Sequence, residues 1–179
     1  MPSAVIVIDV QAGLCAGEHA AFDSAGVIDR INTVTRKARS AGVPVVFVQH
    51  ESDDGVLRAG SPGWQLASGL QRAPGDHLVR KRATDSFHNT ELESLLRGLG
   101  VTELVICGLQ SEFCVDTTVR RALALGFPVV LVQDAHSTMD NGILQADQIA
   151  RHHTRTLTSI GSFGVRAKAA SASEVSFER

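Results

Sequence analysis

Three residues of this 179-residue chain could together perform acyl transfer: the thiol of Cys114, the carboxylate of Asp9 and the ammonium of Lys81. Cys114 follows the loop Gly108-Leu-Gln-Ser-Glu-Phe113 and stands at the start of an expected helix, whose free N–H groups and positive dipole end lower a thiol pKa. Lys81 beside it would lower that pKa further. The same N–H groups can hold an oxyanion once a thiolate attacks a carbonyl. Asp9 can take the thiol proton and return it to a leaving amine. Taken singly, each residue has a plainer reading. A lone cysteine is usually a buried, inert thiol, Asp9 would be a turn or cap residue, and Lys81, between Arg80 and Arg82, a solvated surface lysine.

The elements that would position them tip the balance. Ala4–Ile8 is an unbroken apolar, β-branched run ending at Asp9, which reads as a strand buried on both faces. Further strands are expected at Pro44–Val48, His77–Arg80, Glu103–Cys107 and Pro128–Val132. Helices are expected at Ala25–Ala41, Thr90–Gly98, Val115–Leu125 and Ile143–Leu157. Thr90 and Glu93 have the spacing of a capping box, and Glu174–Phe177 reads as a last edge strand. This alternation predicts one domain spanning 1–179, of α/β class: a three-layer α/β/α, Rossmann-like, doubly wound and mainly parallel sheet. In such sheets the site lies beyond the carboxyl ends of the strands. Asp9, Lys81, the Gly108–Cys114 loop and Asp134 all follow strands, so all four are expected on one edge.

Composition sets the outer bounds. Hydrophobic residues make up 44% and charged residues 20%, and the formal net charge is -2. This is a globular composition without the basic excess of a nucleic-acid binder. No apolar run reaches the roughly 20 residues of a membrane span. Met1-Pro2-Ser3 runs straight into the first strand without a signal-peptide pattern, so a cytoplasmic location is expected. Three cysteines, Cys15, Cys107 and Cys114, make an odd number and argue against a disulfide framework. Cys107, inside an apolar strand, reads as core.

The motifs resemble a known family. Asp9-Val-Gln11 follows a hydrophobic strand. Lys81 precedes Asp85-Ser86-Phe87 and Thr90-x-Leu92. Gly108-Leu-Gln-Ser-Glu-Phe-Cys114-Val-Asp-Thr-Thr118-x-Arg120 and Asp134-Ala-His-Ser-Thr138 follow in order. Together they resemble the isochorismatase-like cysteine hydrolases over about residues 4 to 160, and the Gln-Ser-Glu-Phe-Cys variant resembles the branch that includes streptothricin hydrolase. The resemblance implies a catalytic triad of Asp9, Lys81 and Cys114, and a cis peptide between Leu109 and Gln110 that aims the Gln110 N–H at the oxyanion beside that of Cys114. It implies hydrolysis of an amide-type C–N bond in a small molecule (amide, lactam or carbamoyl compound), with no cofactor, in a homodimer or homotetramer.

Gln11, Trp64, Glu112 and Phe113 are candidates for the substrate pocket, with loop anchoring the alternative for Trp64 and loop fixing that for Glu112. Metal-dependent nicotinamidases of the superfamily carry an Asp-x-His pair and a further His after the second strand. Here that stretch is Gln49-His-Glu-Ser-Asp-Asp54, where His50, Glu51, Asp53 and Asp54 could in principle ligate a cation, but the spacing is not that of the nicotinamidases, so no metal is expected and a solvated loop is the reading. Members acting on isochorismate lack the nucleophilic cysteine, so Cys114 argues against that substrate. His136 reads as structural. Two alternatives stay open: another hydrolysis of the superfamily, including a nicotinamidase type, and a non-catalytic protein in which Cys114 senses oxidant, which would want a resolving cysteine nearby.

Overall fold

The computed structural model describes residues 2–177. Six strands form one sheet, β1 (Ser3–Ile8), β2 (Val45–His50), β3 (His77–Lys81), β4 (Glu103–Leu109), β5 (Val129–Ser137) and β6 (Ala167–Ala170). Their spatial order is β3-β2-β1-β4-β5-β6, and every neighbouring pair is parallel. The helices are α1 (Ala12–Cys15), α2 (Ser24–Ser40), α3 (Leu92–Gly98), α4 (Asp116–Ala124) and α5 (Ala146–Ser159). Among the described residues no helix is long and apolar enough to cross a membrane.

The apolar strands explain the layering. Alternate residues of one strand serve opposite faces. Ala4, Ile6 and Ile8 join Val46, Val48, Leu104 and Ile106 in a core closed by Leu92 and Leu96 of α3, Val119 and Leu123 of α4, and Leu157 of α5. Val5 and Val7 join Phe47, Val105 and Cys107 in a second core closed by Val27, Ile31 and Val34 of α2. The expected three-layer arrangement is therefore present. The chain reverses its direction of strand addition between β1 and β4, and this is the place where a doubly wound sheet opens a crevice.

Four local expectations need correction. β5 does not stop at Val132. It bulges at Gln133-Asp134, where the pairing with β4 shifts register, and resumes through His136 and Ser137. Asp134 thus lies within a strand, away from the rim, and its Oδ1 accepts from the Ala172 N–H at 2.8 Å. The last strand is β6, not Glu174–Phe177, whose Glu174 lies in a turn. The capping box at Thr90 does not form. Thr90 Oγ1 donates to the Ser86 carbonyl at 2.7 Å, and Glu93 pairs with Arg97 at 2.9 Å. Finally, the winding around Cys114 begins earlier than Val115, in a π-helical turn at Ser111–Val115 that runs into α4.

Candidate active site

Asp9 leaves β1 with φ 51°, a left-handed conformation rare outside glycine and often tied to function. Ile8, the residue before it, pairs with Gly108 of β4, which has φ 120°. A Cβ there would stand 2.1 Å from the Ile8 carbonyl oxygen, so only glycine lets β4 press this closely on the end of β1. The peptide Leu109-Gln110 is cis, as the motif implied. The Gln110 carbonyl then accepts from the N–H groups of Phe113 and Val115, closing the wide turn that carries Cys114. Lys81 ends β3, two strands from β1, and its chain turns inward beneath the loop that follows.

The three side chains meet. Lys81 Nζ lies 2.8 Å from Asp9 Oδ2 and 3.2 Å from Cys114 Sγ, with the lysine side chain fully buried. The plain surface reading of Lys81 is therefore wrong. Burial pulls the ammonium down, but Asp9 and Cys114 outweigh it and the net direction is up, so Lys81 is a fixed cation. Cys114 behaves otherwise than its place at a helix start suggested. Burial, then the Asp9 carboxylate, push its thiol up to about 12 against the opposing pull of Lys81. Cys114 thus rests as a neutral thiol, not as the thiolate that a helix start would favour. One Asp9 oxygen, Oδ1, is buried and has no hydrogen-bond partner among the described residues, which leaves a lone pair free to accept a proton.

A buried polar network holds the turn that carries Cys114. Ser111 Oγ lies 2.8 Å from His136 Nδ1, and His136 Nε2 lies 2.9 Å from Thr154 Oγ1. Burial pulls this imidazole down to about 4, so it is neutral and structural, as expected. Thr118 Oγ1 accepts from the Ser86 N–H and donates to Ser86 Oγ, tying α4 to the loop after Lys81.

The pocket candidates divide. Gln11 does not line the cleft; it lies fully buried beneath it. Its amide donates to the carbonyls of His50 and Trp64 and accepts from the His50 N–H at 2.9 Å, clamping β2 to the loop that follows. Trp64 is a loop anchor, its carbonyl also taking the Gln49 amide at 2.7 Å and its ring lying 4.9 Å beneath the Arg80 guanidinium. Glu112 fixes the loop: Thr138 Oγ1 donates to it at 2.8 Å. Phe113 is half-exposed. A cavity of about 400 Å³ opens instead over Glu51, Arg80, Arg82, Ala83, His88 and Asn89.

His50, expected in a solvated loop, instead ends β2 and joins the cluster. His50 Nδ1 lies 3.0 Å from Lys81 Nζ, and a ligating atom of His50 is within 4.8 Å of those of Asp9 and Cys114. The cation among these donors is the Lys81 ammonium. Glu51 and Asp53 pair with Arg80 and Arg82 on the surface. The signal for His50 was its place at the end of β2, in register with Lys81. Cys107 is buried in the strand, its Sγ against the Ile6 carbonyl, and cannot resolve an oxidised Cys114.

Comparison with known proteins identifies the family. The isochorismatase domain model matches residues 3–160. A streptothricin hydrolase of Streptomyces noursei is 44% identical over 138 residues, covering 76% of this chain. The chain spans about half the length of that relative, 50%. An ureidoacrylate amidohydrolase of Caulobacter vibrioides is 30% identical over 170 residues, covering 74% of this chain and 76% of the relative. A solved isochorismatase family protein superposes with a TM-score of 0.86 at 36% identity, covering 95% of this chain and 98% of that one. The matched segment carries the buried cluster and the strands that build it, and the chain belongs to the isochorismatase family of hydrolases.

Proposed function

We propose that this protein is a cysteine hydrolase that cleaves a C–N bond in a small amide, lactam or carbamoyl compound. The observation that carries the reading is the buried Lys81 ammonium bridging Asp9 at 2.8 Å and Cys114 at 3.2 Å. Cys114 gives its proton to Asp9 as sulfur attacks the carbonyl carbon. The oxyanion forms against the backbone N–H groups of Gln110 and Cys114, and Lys81 stabilises the charge passing through the site. Asp9 then protonates the departing nitrogen, leaving an acyl group on sulfur. Water, giving its proton to Asp9, releases the acid and restores the thiol. The relatives named for amide hydrolysis favour this bond type over a vinyl ether. The three free thiols suit a reducing, cytoplasmic compartment, and a homo-oligomer that takes a small molecule and no nucleic acid completes the reading.

A panel of amides, lactams and ureido compounds, followed by release of ammonia or amine, tests it. Turnover of at least one member, abolished in Cys114→Ala and in Asp9→Asn, is the expected result. Turnover that survives Cys114→Ala would refute the reading.

A further inference from the structure

Lys81 has three protons and four acceptors. Its Nζ lies 2.8 Å from Asp9 Oδ2, 2.9 Å from the Ala83 carbonyl, 3.0 Å from His50 Nδ1 and 3.2 Å from Cys114 Sγ. An ammonium can satisfy three of these at once. A thiol sulfur is the weakest acceptor of the four, so in the resting site the protons go to the carboxylate, the carbonyl and the imidazole. A thiolate is a far stronger acceptor, and as Cys114 loses its proton to Asp9 the ammonium must turn one N–H toward sulfur.

His50 is held for this task. Gln11 grips its backbone N–H and carbonyl, each at 2.9 Å, from a position two residues beyond Asp9. The His50 ring is half-buried, and it accepts from Lys81 only while Nδ1 keeps its lone pair. The charges around it are Lys81 on β3, Asp9 after β1 and Glu51 on its own segment. The Ala83 carbonyl and Cys114 stand close by.

We infer that His50 is a positioning residue of the hydrolytic site, whose neutral imidazole orients the Lys81 ammonium and whose protonation switches the site off. Protonated His50 offers no lone pair and places a second cation 3.0 Å from Lys81 Nζ. The ammonium then leaves its position between Asp9 and Cys114. Burial first, then Lys81, hold the imidazole below its ordinary value, against the pull of Asp9, the Ala83 carbonyl and Glu51. The acid limit of activity therefore falls below pH 6.5. The inference rests on Cys114 being the nucleophile, but its first test needs no substrate.

That test is a histidine NMR titration, with the His50 signal identified by its loss in His50→Asn. A neutral ring protonated on Nε2 at pH 7, titrating below 6.5 and moving upward in Lys81→Met, is expected. A ring carrying its proton on Nδ1 at pH 7, or titrating at or above 6.5, overturns the inference even if no amide is yet known to be turned over. With an amide from the panel, His50→Ala should lower kcat by about tenfold to a hundredfold, the scale of one hydrogen bond to a charged group, with little change in KM. His50→Asn, whose Oδ1 replaces the Nδ1 acceptor and does not titrate, should recover most of that loss and remove the part of the acid limb that His50 sets. An acid limb that persists unchanged in His50→Asn, or wild-type kcat in His50→Ala, overturns it.

Discussion

The two sides of the active crevice are built differently. On the β4–β5 side, Ser111, His136 and Thr154 form short hydrogen bonds among mostly buried groups, Thr118 ties α4 across to Ser86, and the Cys114 turn is fixed at several points. On the β2–β3 side, Glu51, Asp53, Arg80 and Arg82 form ion pairs at 2.8–3.9 Å whose arginines are more than half exposed, around an open cavity. Buried hydrogen bonds are costly to break and specify one geometry. Exposed ion pairs contribute little and rearrange readily. The turn that carries Cys114 is thus held by the hydrogen-bonded side, Lys81 and His50 reach it from the other, and the exposed ion pairs around them are the easier to rearrange.

The sharpest break in this contrast is at the nucleophile. Cys114→Ala should reduce turnover at least about a thousandfold while the fold is retained, since loss of a nucleophile removes the chemical step itself; kinetics and circular dichroism check both halves. Next comes Lys81→Met. It should cost about a hundredfold in kcat, by analogy with removal of one charge-stabilising donor, and lower stability by about 3 kcal/mol by leaving Asp9 buried without its counter-ion. Urea unfolding would read the second effect.

His136 tests the rigid side through pH. Its folded value near 4 lies below the ordinary 6.5, so the unfolded chain takes up the proton first. Stability is full above about pH 6.5 and is lost as pH falls toward 4, by up to roughly 3 kcal/mol from this residue. His136→Asn should flatten that dependence in melts at pH 7 and pH 4.5. The smallest effect is expected on the open side. Arg82→Ala should leave the melting temperature unchanged and shift KM alone, and an equal loss of stability in Arg82→Ala and His136→Asn would erase the distinction.

Much of this was legible in the chain. The Ala4–Ile8 run dictated a central buried strand, and strand ends alone brought Asp9, Lys81 and Cys114 to one rim. What escaped depended on contacts over long separations or on weak local signals. Gln11 grips His50 across 39 residues, and nothing in Asp9-Val-Gln11 announces a buried clamp rather than a pocket wall. The polar pair Gln133-Asp134 hid the continuation of β5, because a bulge lets two polar residues sit where an alternating strand would not. Ala167-Lys-Ala-Ala170 lacks the β-branched residues of a strand and forms one only because β5 offers an edge, which its lysine then blunts. The raised thiol value of Cys114 followed from the depth of the site, which spacing does not reveal.

The central claim is that Cys114 carries the acyl group. Acid-quenching the enzyme during turnover of an amide from the panel, then digesting it and weighing the peptide that contains Cys114, tests this directly. A mass increase equal to the acyl fragment is expected on that peptide, lost when Cys114 is replaced by alanine. Steady turnover with no adduct on Cys114, and undiminished in Cys114→Ala, would contradict it.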